Sequence, residues 1–537
     1  AGNSVYAFSL MLFAFLAGLA GGAEVARRLL KLRLDLSLAL AWLQFLLAAA
    51  ILGGVFLWEE LPRYFASFEG YPLRYGFGAR EVVRALVCLT AMLPPALLIG
   101  MIYPLAMECV GRAAPRAPIA ALGRAAALNT AGNIAGVLAA GFWLLPQLGA
   151  LRSIQGLAAI AFSLGAMILV AAGPRARPLA WAPAAVVLVL FAAQPRAFDY
   201  TALASGANVY FRAQHYGQVI AAAESADGGL TTVAQRELPG RGRLLTLLTN
   251  GKFQGNNDPQ GEVVAQVGIA LTPLLHTAAR ERALVIGYGT GMSARVLKEA
   301  GFRQLDIVEL SADIVRLADA HFAEINARVS SSPGVNTYIT DGRNFLLLQR
   351  RTYDVVSMEV SSIWFAGAAS LYNREFYQLV KRRLAPRGVL QQWMQLHHIY
   401  PADILSILAS VRAEFRHVWL YLIGGQGMII ATDDEATAPR PEHLEAIERA
   451  PALGPLLGVI GGSTRAVLES RLLDPPATDR LLASFGLPLA FWVSTDDNLR
   501  LEYSTPRGNA LDGGRSMREN LEWLRSFSDG PEAASGR

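Results

Sequence analysis

The sequence predicts a multi-span α-helical membrane domain followed by an α/β Rossmann-like domain with a mostly parallel, doubly wound sheet. Hydrophobic residues make up 53% of the 537-residue chain. The long apolar runs lie almost wholly before Gln194, which indicates membrane helices and not a larger buried core. Further on, the apolar residues 283–286 lead directly into Gly287, Gly289 and Gly291, and a helical pattern follows. A buried strand that ends in a glycine turn before a helix is typical of a Rossmann-like domain whose backbone approaches a ligand.

The first predicted domain, residues 1–197, contains about six apolar runs that could cross a bilayer. They are residues 5–21, 36–58, 82–110, 119–145, 154–172 and the shorter run 179–193. Because no basic residue precedes the first run, it fits a span better than a signal peptide. Pro94 and Pro95 are expected to kink the third span.

Two asparagines in the fourth predicted span lie on one helix face. Asn129 and Asn133 are four residues apart, beside Gly132 and Gly136. Small and amide side chains of this kind favour close helix packing with interhelical hydrogen bonds. A buried polar site for a substrate is the alternative interpretation.

The net charge of +5 comes largely from short basic clusters between the apolar runs. That distribution indicates membrane orientation and not nucleic-acid binding. By the positive-inside rule the clustered loops would face the cytoplasm, and six spans would then place the rest of the chain on the opposite side. The clusters are Arg27, Arg28, Lys31 and Arg33, then Arg112 and Arg116, then Arg175 and Arg177.

The second predicted domain, residues 198–436, begins with a β-hairpin region and continues as alternating strands and helices. Residues 244–248 predict a strand that enters a turn at Asn250 and Gly251. A second hairpin is predicted around Gly424 and Gly425. The strands of the main sheet are predicted at residues 283–286, 305–308, 335–339, 354–358 and 389–393. Residues 437–537 predict a helical appendage and a tail from Asp529 that we expect to be disordered.

A carboxylate follows the second strand of the main sheet. Glu309 lies about 20 residues beyond the glycine turn, where an acid typically accepts hydrogen bonds from ribose hydroxyls. The pattern therefore indicates an adenosine-containing ligand, with a solvated strand end as the alternative role for Glu309.

The seven histidines show no metal-ligand spacing, so no metal is expected. Cys88 and Cys109 are too far apart along one helix to form a disulfide.

The order of several motifs resembles the spermidine synthase (polyamine aminopropyltransferase) family, and the whole chain resembles its membrane-fused branch. Residues from about 208 to 431 carry the resemblance to the family as a whole. The motifs are Tyr216-Gly-Gln218, Asn250-Gly-Lys-Phe-Gln254, the glycine turn, Glu309, Asp341-Gly342 and Tyr353-Asp-Val-Val-Ser-Met-Glu359. The fused branch is further indicated by Asn129-Thr-Ala-Gly132, Trp364-Phe-Ala-Gly-Ala-Ala-Ser-Leu-Tyr372 before Glu375-Phe-Tyr377, and Thr495-Asp-Asp-Asn-Leu-Arg-Leu-Glu-Tyr503.

The resemblance implies a class I S-adenosylmethionine-dependent transferase fold and a role for each motif residue. Gln254 would contact the nucleoside, Glu309 the ribose hydroxyls, and Asp341 beside Gly342 the adenine amino group, while Glu359 would deprotonate or orient an attacking amine. These roles suit a carboxylate, which only accepts hydrogen bonds. An ordinary turn is the alternative for Asp341, and a solvated strand end is the alternative for Glu359.

Several positions depart from the soluble members of that family. Thr290 replaces an Asp of the glycine turn, Ser362 replaces a second acid, Ile363 replaces a Pro, and Ala265-Gln-Val267 replaces a Tyr-His-Glu run that helps bind the diamine. A dicationic acceptor needs carboxylates at both ends, so the acceptor stays open.

The resemblance implies binding of S-adenosylmethionine or its decarboxylated form as a substrate. The predicted reaction is aminopropyl-type transfer to an amine with release of methylthioadenosine. Two alternatives stay open: methyl transfer, cyclisation or elimination of the donor, and a transporter or sensor that only binds the nucleotide.

The expected partners are a small-molecule amine (or the donor's own amine) and the lipid bilayer, with no nucleic acid. The oligomeric state is open, with a homodimer among the choices. Because adenosyl sulfonium donors are made in the cytoplasm, we expect the catalytic domain there, at the inner membrane, despite the positions of the basic loops.

Overall fold

A computed structural model describes residues 2–32, 34–173, 181–225, 229–240, 242–360 and 362–528. Arg33, Arg175, Arg177, the beginning of the run 179–193 and the predicted tail from Asp529 lie outside the described residues.

The structure describes six helices in the N-terminal domain. They are α1 (Val5–Leu29), α2 (Leu36–Ala66), α3 (Tyr71–Ala113), α4 (Pro118–Ala139), α5 (Leu145–Ala171) and α6 (Ala182–Ala192), with the π-helical turn Ala140–Leu144 between α4 and α5. Within the described residues, four helical stretches are long and apolar enough to cross a membrane: α1, α2, α3 and the joined stretch Pro118–Ala171.

The predicted number of about six spans stays a prediction. The fourth and fifth predicted spans, residues 119–145 and 154–172, lie on either side of Gly149, which interrupts the joined stretch with a φ of 72°. Among the described residues the sixth run contains the 11-residue α6, which at about 1.5 Å per residue is by itself too short for a hydrocarbon core of about 30 Å.

Small residues let α1 and α3 pack side by side in parallel. A Cβ atom added at Gly22 would overlap the Leu97 carbonyl oxygen, and one added at Gly100 would overlap the backbone of Leu19. Gly18 likewise faces Ala96. This is the small-residue packing found between membrane helices.

Helix α3 continues through Pro94 and Pro95, and its one residue with non-helical dihedral angles is Gly76. The kink expected at the two prolines stays a prediction. The expectation for the two asparagines is wrong. Helix α4, which the structure describes completely, has no buried residue. Asn129 and Asn133 are exposed, so among the described residues they neither pack against a neighbouring helix nor line a buried site.

The α/β domain contacts one end of the helical domain. The Asn3 carbonyl oxygen accepts a hydrogen bond from Ala366 N at 2.8 Å, just before α1. The buried Arg80 near the start of α3 donates to the Val209 carbonyl oxygen at 2.5 Å. Because α1 begins at this end, the basic residues at its other end, such as Arg28, lie away from the α/β domain.

Two sheets make up the second domain. The antiparallel sheet has the order β1-β2-β3-β4 and the mixed sheet the order β12-β10-β11-β9-β8-β5-β6-β7. The strands are β1 (Gln218–Glu224), β2 (Leu230–Leu238), β3 (Gly242–Thr249), β4 (Lys252–Asn256), β5 (Arg282–Ile286), β6 (Gln304–Glu309), β7 (Val335–Ile339), β8 (Tyr353–Met358), β9 (Leu384–Met394), β10 (His417–Ile423), β11 (Gln426–Thr432) and β12 (Arg471–Leu473).

The two predicted hairpins are present. Strands β3 and β4 are joined through Asn250 and Gly251, which have φ angles of 51° and 77°, the left-handed values that such a tight turn requires. Strands β10 and β11 are joined through Gly424 and Gly425.

The five neighbouring strands β9, β8, β5, β6 and β7 pair in parallel. Helices cover this sheet on both sides, and two buried clusters of hydrophobic residues fill the layers between them. The Rossmann-like prediction is thereby confirmed.

The remaining helices are α7 (Tyr200–Leu203), α8 (Ala207–Tyr210), α9 (Glu262–Leu274), α10 (Met292–Glu299), α11 (Ala312–His321), α12 (Ala323–Asn326), α13 (Gly342–Leu348), α14 (Arg374–Lys381), α15 (Pro401–Arg412), α16 (Pro441–Glu448), α17 (Gly454–Val459), α18 (Thr464–Glu469), α19 (Pro475–Ala483), α20 (Leu489–Trp492), α21 (Arg500–Gly508) and α22 (Gly513–Arg525).

Candidate active site

A cavity of about 410 Å³ opens at the carboxyl ends of the parallel strands, where open α/β sheets bind their ligands. Seven of the eight residues singled out from the sequence line it: Gln254, Gly287, Gly289, Glu309, Asp341, Gly342 and Glu359. The eighth, Gly291, lies behind the wall, where an added Cβ atom would overlap the ring of Tyr288.

The glycine turn adopts a backbone that other residues would strain. Gly287, Gly289 and Gly291 have φ angles of 94°, 53° and 83°, in the left-handed region that favours glycine. Gly287 N donates to the Val308 carbonyl oxygen at 2.8 Å, which ties the turn to β6. Thr290 donates its hydroxyl hydrogen to Gln266 Oε1 at 2.8 Å. The residue that replaces the family's Asp therefore connects the turn to α9.

Glu309 is buried at the end of β6 and is held by backbone amides. Its Oε2 atom accepts from Tyr288 N at 2.8 Å and its Oε1 atom accepts from Ser311 N at 3.0 Å. Burial raises the pKa of Glu309, and these amide hydrogen bonds oppose the rise. Each carboxylate oxygen has a second acceptor position, so the side chain can hold the turn and still accept from ligand hydroxyls.

Asp341 begins helix α13 after β7. Its Oδ1 atom accepts from Asn344 N at 2.8 Å, which caps the helix and leaves the other oxygen available to a ligand. The adjacent Gly342 allows α13 to approach β5, because a Cβ atom there would overlap the side chain of Ile286.

Glu359 follows β8 beside the glycine turn. Its backbone N donates to the Ile286 carbonyl oxygen at 2.9 Å, and its Cβ lies 3.6 Å from the position of a Cβ built at Gly287. Among the described residues its buried Oε1 atom has no hydrogen-bond partner. Burial raises the pKa of Glu359 to about 8, with repulsion from Glu309 adding to the rise and a hydrogen bond with Ser293 opposing it.

A fourth carboxylate in the cavity, Glu262, was missed in the sequence. It is the first residue of α9 and lines the cavity together with Gln266. Burial raises the pKa of Glu262 to about 7, and the charge of Lys252 opposes the rise. The resemblance places acceptor binding at residues 265–267, whereas this carboxylate lies at the start of the same helix. An acid in the first turn, directly after the hairpin that carries Gln254, was the available signal.

The cavity is strongly acidic. Among the described residues that line it, four are carboxylates and none is Lys, Arg or His. No group of three His, Cys, Asp or Glu side chains in the described ranges is placed to hold a metal ion. The arrangement suits a ligand that carries positive charge.

The strand order separates the four carboxylates. Glu309 and Asp341 follow β6 and β7, on one side of the glycine turn after β5, whereas Glu359 follows β8 on the other side. Helix α9, which carries Glu262, packs against β8 and β9, and Trp393 of β9 lines the same part of the cavity. The cavity therefore has two sides. The β6–β7 side carries Glu309 and Asp341, the β8–β9 side carries Glu262 and Trp393, and Glu359 lies between them.

Parts of the chain are similar to known proteins. Residues 262–423 match the spermine/spermidine synthase domain. The chain is 29% identical over 369 residues to polyamine aminopropyltransferase 2 of Streptomyces coelicolor, covering 67% of this chain and 62% of that protein. It is 28% identical over 239 residues to polyamine aminopropyltransferase of Nitrosomonas europaea, covering 42% of this chain and 72% of that protein.

A spermidine synthase solved with the transition-state analogue AdoDATO aligns with a TM-score of 0.40 and 16% identity, over 50% of this chain and 87% of that one. The chain spans less than two thirds of the length of the Streptomyces coelicolor relative and 48% of a Pseudomonas aeruginosa polyamine aminopropyltransferase 2. Residues 262–423 are therefore similar to a spermine/spermidine synthase domain, and the chain as a whole is similar to polyamine aminopropyltransferases.

Proposed function

We propose that this chain is a membrane-bound aminopropyltransferase that uses decarboxylated S-adenosylmethionine or S-adenosylmethionine and releases methylthioadenosine. The observation that carries the proposal is Glu359, a carboxylate beside the glycine turn of an acidic cavity, one oxygen of which has no hydrogen-bond partner among the described residues. The matches to aminopropyltransferases support the same reaction class.

In the proposed site the donor's nucleoside lies on the β6–β7 side. Glu309 accepts from the ribose hydroxyls, Asp341 from the adenine amino group, and Gln254 contacts the nucleoside from the hairpin. The glycine turn brings backbone close to the donor. The sulfonium and its reactive methylene then lie near Glu359, where the charge of the carboxylate is complementary to the sulfonium.

The transfer needs one base and no acid. The amine nitrogen attacks the methylene carbon, a C–N bond forms, and the C–S bond breaks with its electron pair moving to sulfur. The leaving group is a neutral thioether, so it takes no proton. The amine proton moves to Glu359, whose raised pKa lies near the working range of a general base. Alignment of the two reacting atoms would supply most of the remaining rate increase.

The acceptor is proposed to be a cationic amine with a second positive charge. Glu262 supplies a carboxylate on the β8–β9 side. The positions that hold the Tyr-His-Glu run in the family supply none here, because they are Ala265-Gln-Val267. The Glu262 carboxylate argues against donor cyclisation, in which no second carboxylate on that side is needed. Methyl transfer remains the competing reaction for a glycine turn of this form.

Product analysis distinguishes these reactions. The purified full-length protein is incubated separately with decarboxylated S-adenosylmethionine and S-adenosylmethionine, each with and without a diamine such as putrescine. Methylthioadenosine together with an aminopropylated diamine supports the proposal. S-adenosylhomocysteine would identify a methyltransferase, and methylthioadenosine formed without any acceptor would identify cyclisation or elimination.

The helical domain is proposed to anchor the enzyme in the inner membrane with the α/β domain in the cytoplasm. The four long apolar helices support the anchoring. Supply of the donor supports the cytoplasmic side. The basic residues at the far end of α1 oppose it by the positive-inside rule, so this part of the proposal depends on a direct test.

A further inference from the structure

One wall of the cavity is a loop that is held from outside the Rossmann-like sheet. This wall loop, residues 362–371, follows Glu359 and contributes seven lining residues: Ser362, Phe365, Ala366, Gly367, Ala368, Ser370 and Leu371. It lies on the β8–β9 side, because Tyr372 at its end donates to the Trp393 carbonyl oxygen at 3.0 Å.

Two consecutive amides of the wall loop donate to residues that are distant in sequence. Ala366 N donates to the Asn3 carbonyl oxygen at 2.8 Å, and Gly367 N donates to Glu502 Oε1 at 2.9 Å. Glu502 lies on α21, within the sequence motif 495–503. Neither partner lines the cavity, so both act on it only through the loop.

The two partners are themselves joined. The Tyr6 hydroxyl of α1 donates to the Tyr503 carbonyl oxygen at 2.9 Å, and the Tyr6 ring packs edge-on against Phe77 of α3 with ring centroids 4.9 Å apart. The start of α1, the start of α3 and helix α21 therefore form one contact region behind the wall loop.

Glu502 is suited to holding the loop. It is half-buried, and the amides of Gly367 and Ala369 oppose the rise that burial causes in its pKa. Gly367 has a φ of 85°, and no described atom outside its chain neighbours lies within 4 Å of a Cβ built there. The loop at this point is thus held by hydrogen bonds and not by side-chain packing.

We propose that Glu502 and the first residues of α1 are positioning residues that hold the wall loop against the β8–β9 side of the cavity and so set how the acceptor binds. This inference rests on the proposed function. On this proposal the helical domain contributes to the acceptor site, because a displacement of α1 would also displace the wall loop.

The first test substitutes Glu502 in the full-length protein. In Glu502→Ala, hydrogen exchange of residues 362–371 should become faster, and the KM for the acceptor should rise about tenfold with a smaller change in kcat. Glu502→Gln should recover part of both, since its single amide oxygen can still accept from Gly367 N while its NH2 group cannot accept from Ala369 N. Affinity for methylthioadenosine should stay within about threefold, because its contacts lie on the β6–β7 side. The control is Glu519→Ala, an exposed acid of α22 paired with Arg515.

The second test approaches the loop from the helical domain. Tyr6→Ala should also speed exchange in residues 362–371, whereas Phe8→Ala, an exposed residue of the same helix, should not. Unchanged exchange in both Glu502→Ala and Tyr6→Ala, or equal defects in Glu502→Gln and Glu502→Ala, would overturn the inference. The exchange measurements need no turnover, so a failure of the proposed reaction would be seen separately, as absence of methylthioadenosine from the unsubstituted enzyme.

Discussion

The four carboxylates of the cavity differ in what already holds them. Glu309 and Asp341 accept hydrogen bonds from backbone amides, which fixes their positions before any ligand arrives. Within the part of the chain that the structure describes, one buried oxygen of Glu359 has no hydrogen-bond partner, and burial raises the pKa values of Glu359 and Glu262. Fixed acceptors suit recognition of a nucleoside, and less stabilised carboxylates suit cations and proton transfer.

Replacement of Glu359 tests the proton transfer. Glu359→Gln keeps the size of the side chain but removes the base, so turnover should fall by about 10²–10⁴-fold with little change in methylthioadenosine affinity. Because the base acts only when ionised and its pKa is raised to about 8, kcat/KM of the unsubstituted enzyme should rise as the pH increases through about 8. The Glu359→Gln variant should not show this rise of kcat/KM with pH. Turnover within a few-fold of the unsubstituted enzyme would show that the reaction needs no base at this position.

Replacement of Glu262 tests the acceptor assignment. Glu262→Gln should raise the KM for a diamine by about tenfold or more, because a charge-assisted hydrogen bond is worth about 1.5–3 kcal/mol. The KM for a monoamine should change little. Glu281→Gln, at an exposed acid outside the cavity, serves as the control. Equal effects on diamine and monoamine would place Glu262 outside the acceptor site.

Donor binding is tested on the other side of the cavity. Glu309→Ala and Asp341→Ala should each weaken methylthioadenosine binding by about 1.5–3 kcal/mol, measured by calorimetric titration. Asp313→Ala, at a partly buried acid of α11 that is paired with Arg316 and does not line the cavity, is expected to bind normally. Unchanged affinity in both cavity variants would mean that the nucleoside binds elsewhere.

At the scale of elements, local patterns predicted the α/β domain well and the helical domain less well. The β5 strand, its glycine turn and Glu309 were predictable because a buried strand and left-handed glycines leave a signal within a few residues. The exposure of Asn129 was not, because it depends on which helices meet. Glu262 was missed for a similar reason: α9 joins the site by packing on β8 and β9, contacts that are distant in sequence.

The α1–α3 contact provides a prediction at this scale. Gly22→Leu should lower the thermal stability of the protein in detergent, because its side chain would overlap the backbone of α3 at Leu97. Overpacking of this kind costs about 1–3 kcal/mol. Gly21→Leu is a matched control, since a Cβ atom there meets nothing within 4 Å. Equal stability of the two variants would contradict the packing.

At the scale of the whole molecule, the two domains meet at the end of the helical domain where α1 and α3 begin. Arg80 of α3 donates to the Val209 carbonyl oxygen, and Glu224 of β1 accepts from the Tyr200 hydroxyl at 2.8 Å and from Ala150 N beside the break at Gly149. The basic residues after α1 and α3 lie at the opposite end. If the helices cross a membrane, the α/β domain and these residues are on different sides of it.

Labelling in intact cells tests the membrane orientation. Cysteine is introduced either at Ser528, beyond α22 of the α/β domain, or at Lys31, beyond the far end of α1, and each is probed with a membrane-impermeant thiol reagent. The native cysteines provide the background: Cys88 is buried and Cys109 is partly buried.

We expect Lys31→Cys to be labelled without permeabilisation and Ser528→Cys only after it, because the donor is made in the cytoplasm. The reverse pattern would agree with the basic loops, place Glu309 and Glu359 outside the cell, and require a donor supplied there. Labelling of both sites in intact cells would contradict the membrane crossing of α1.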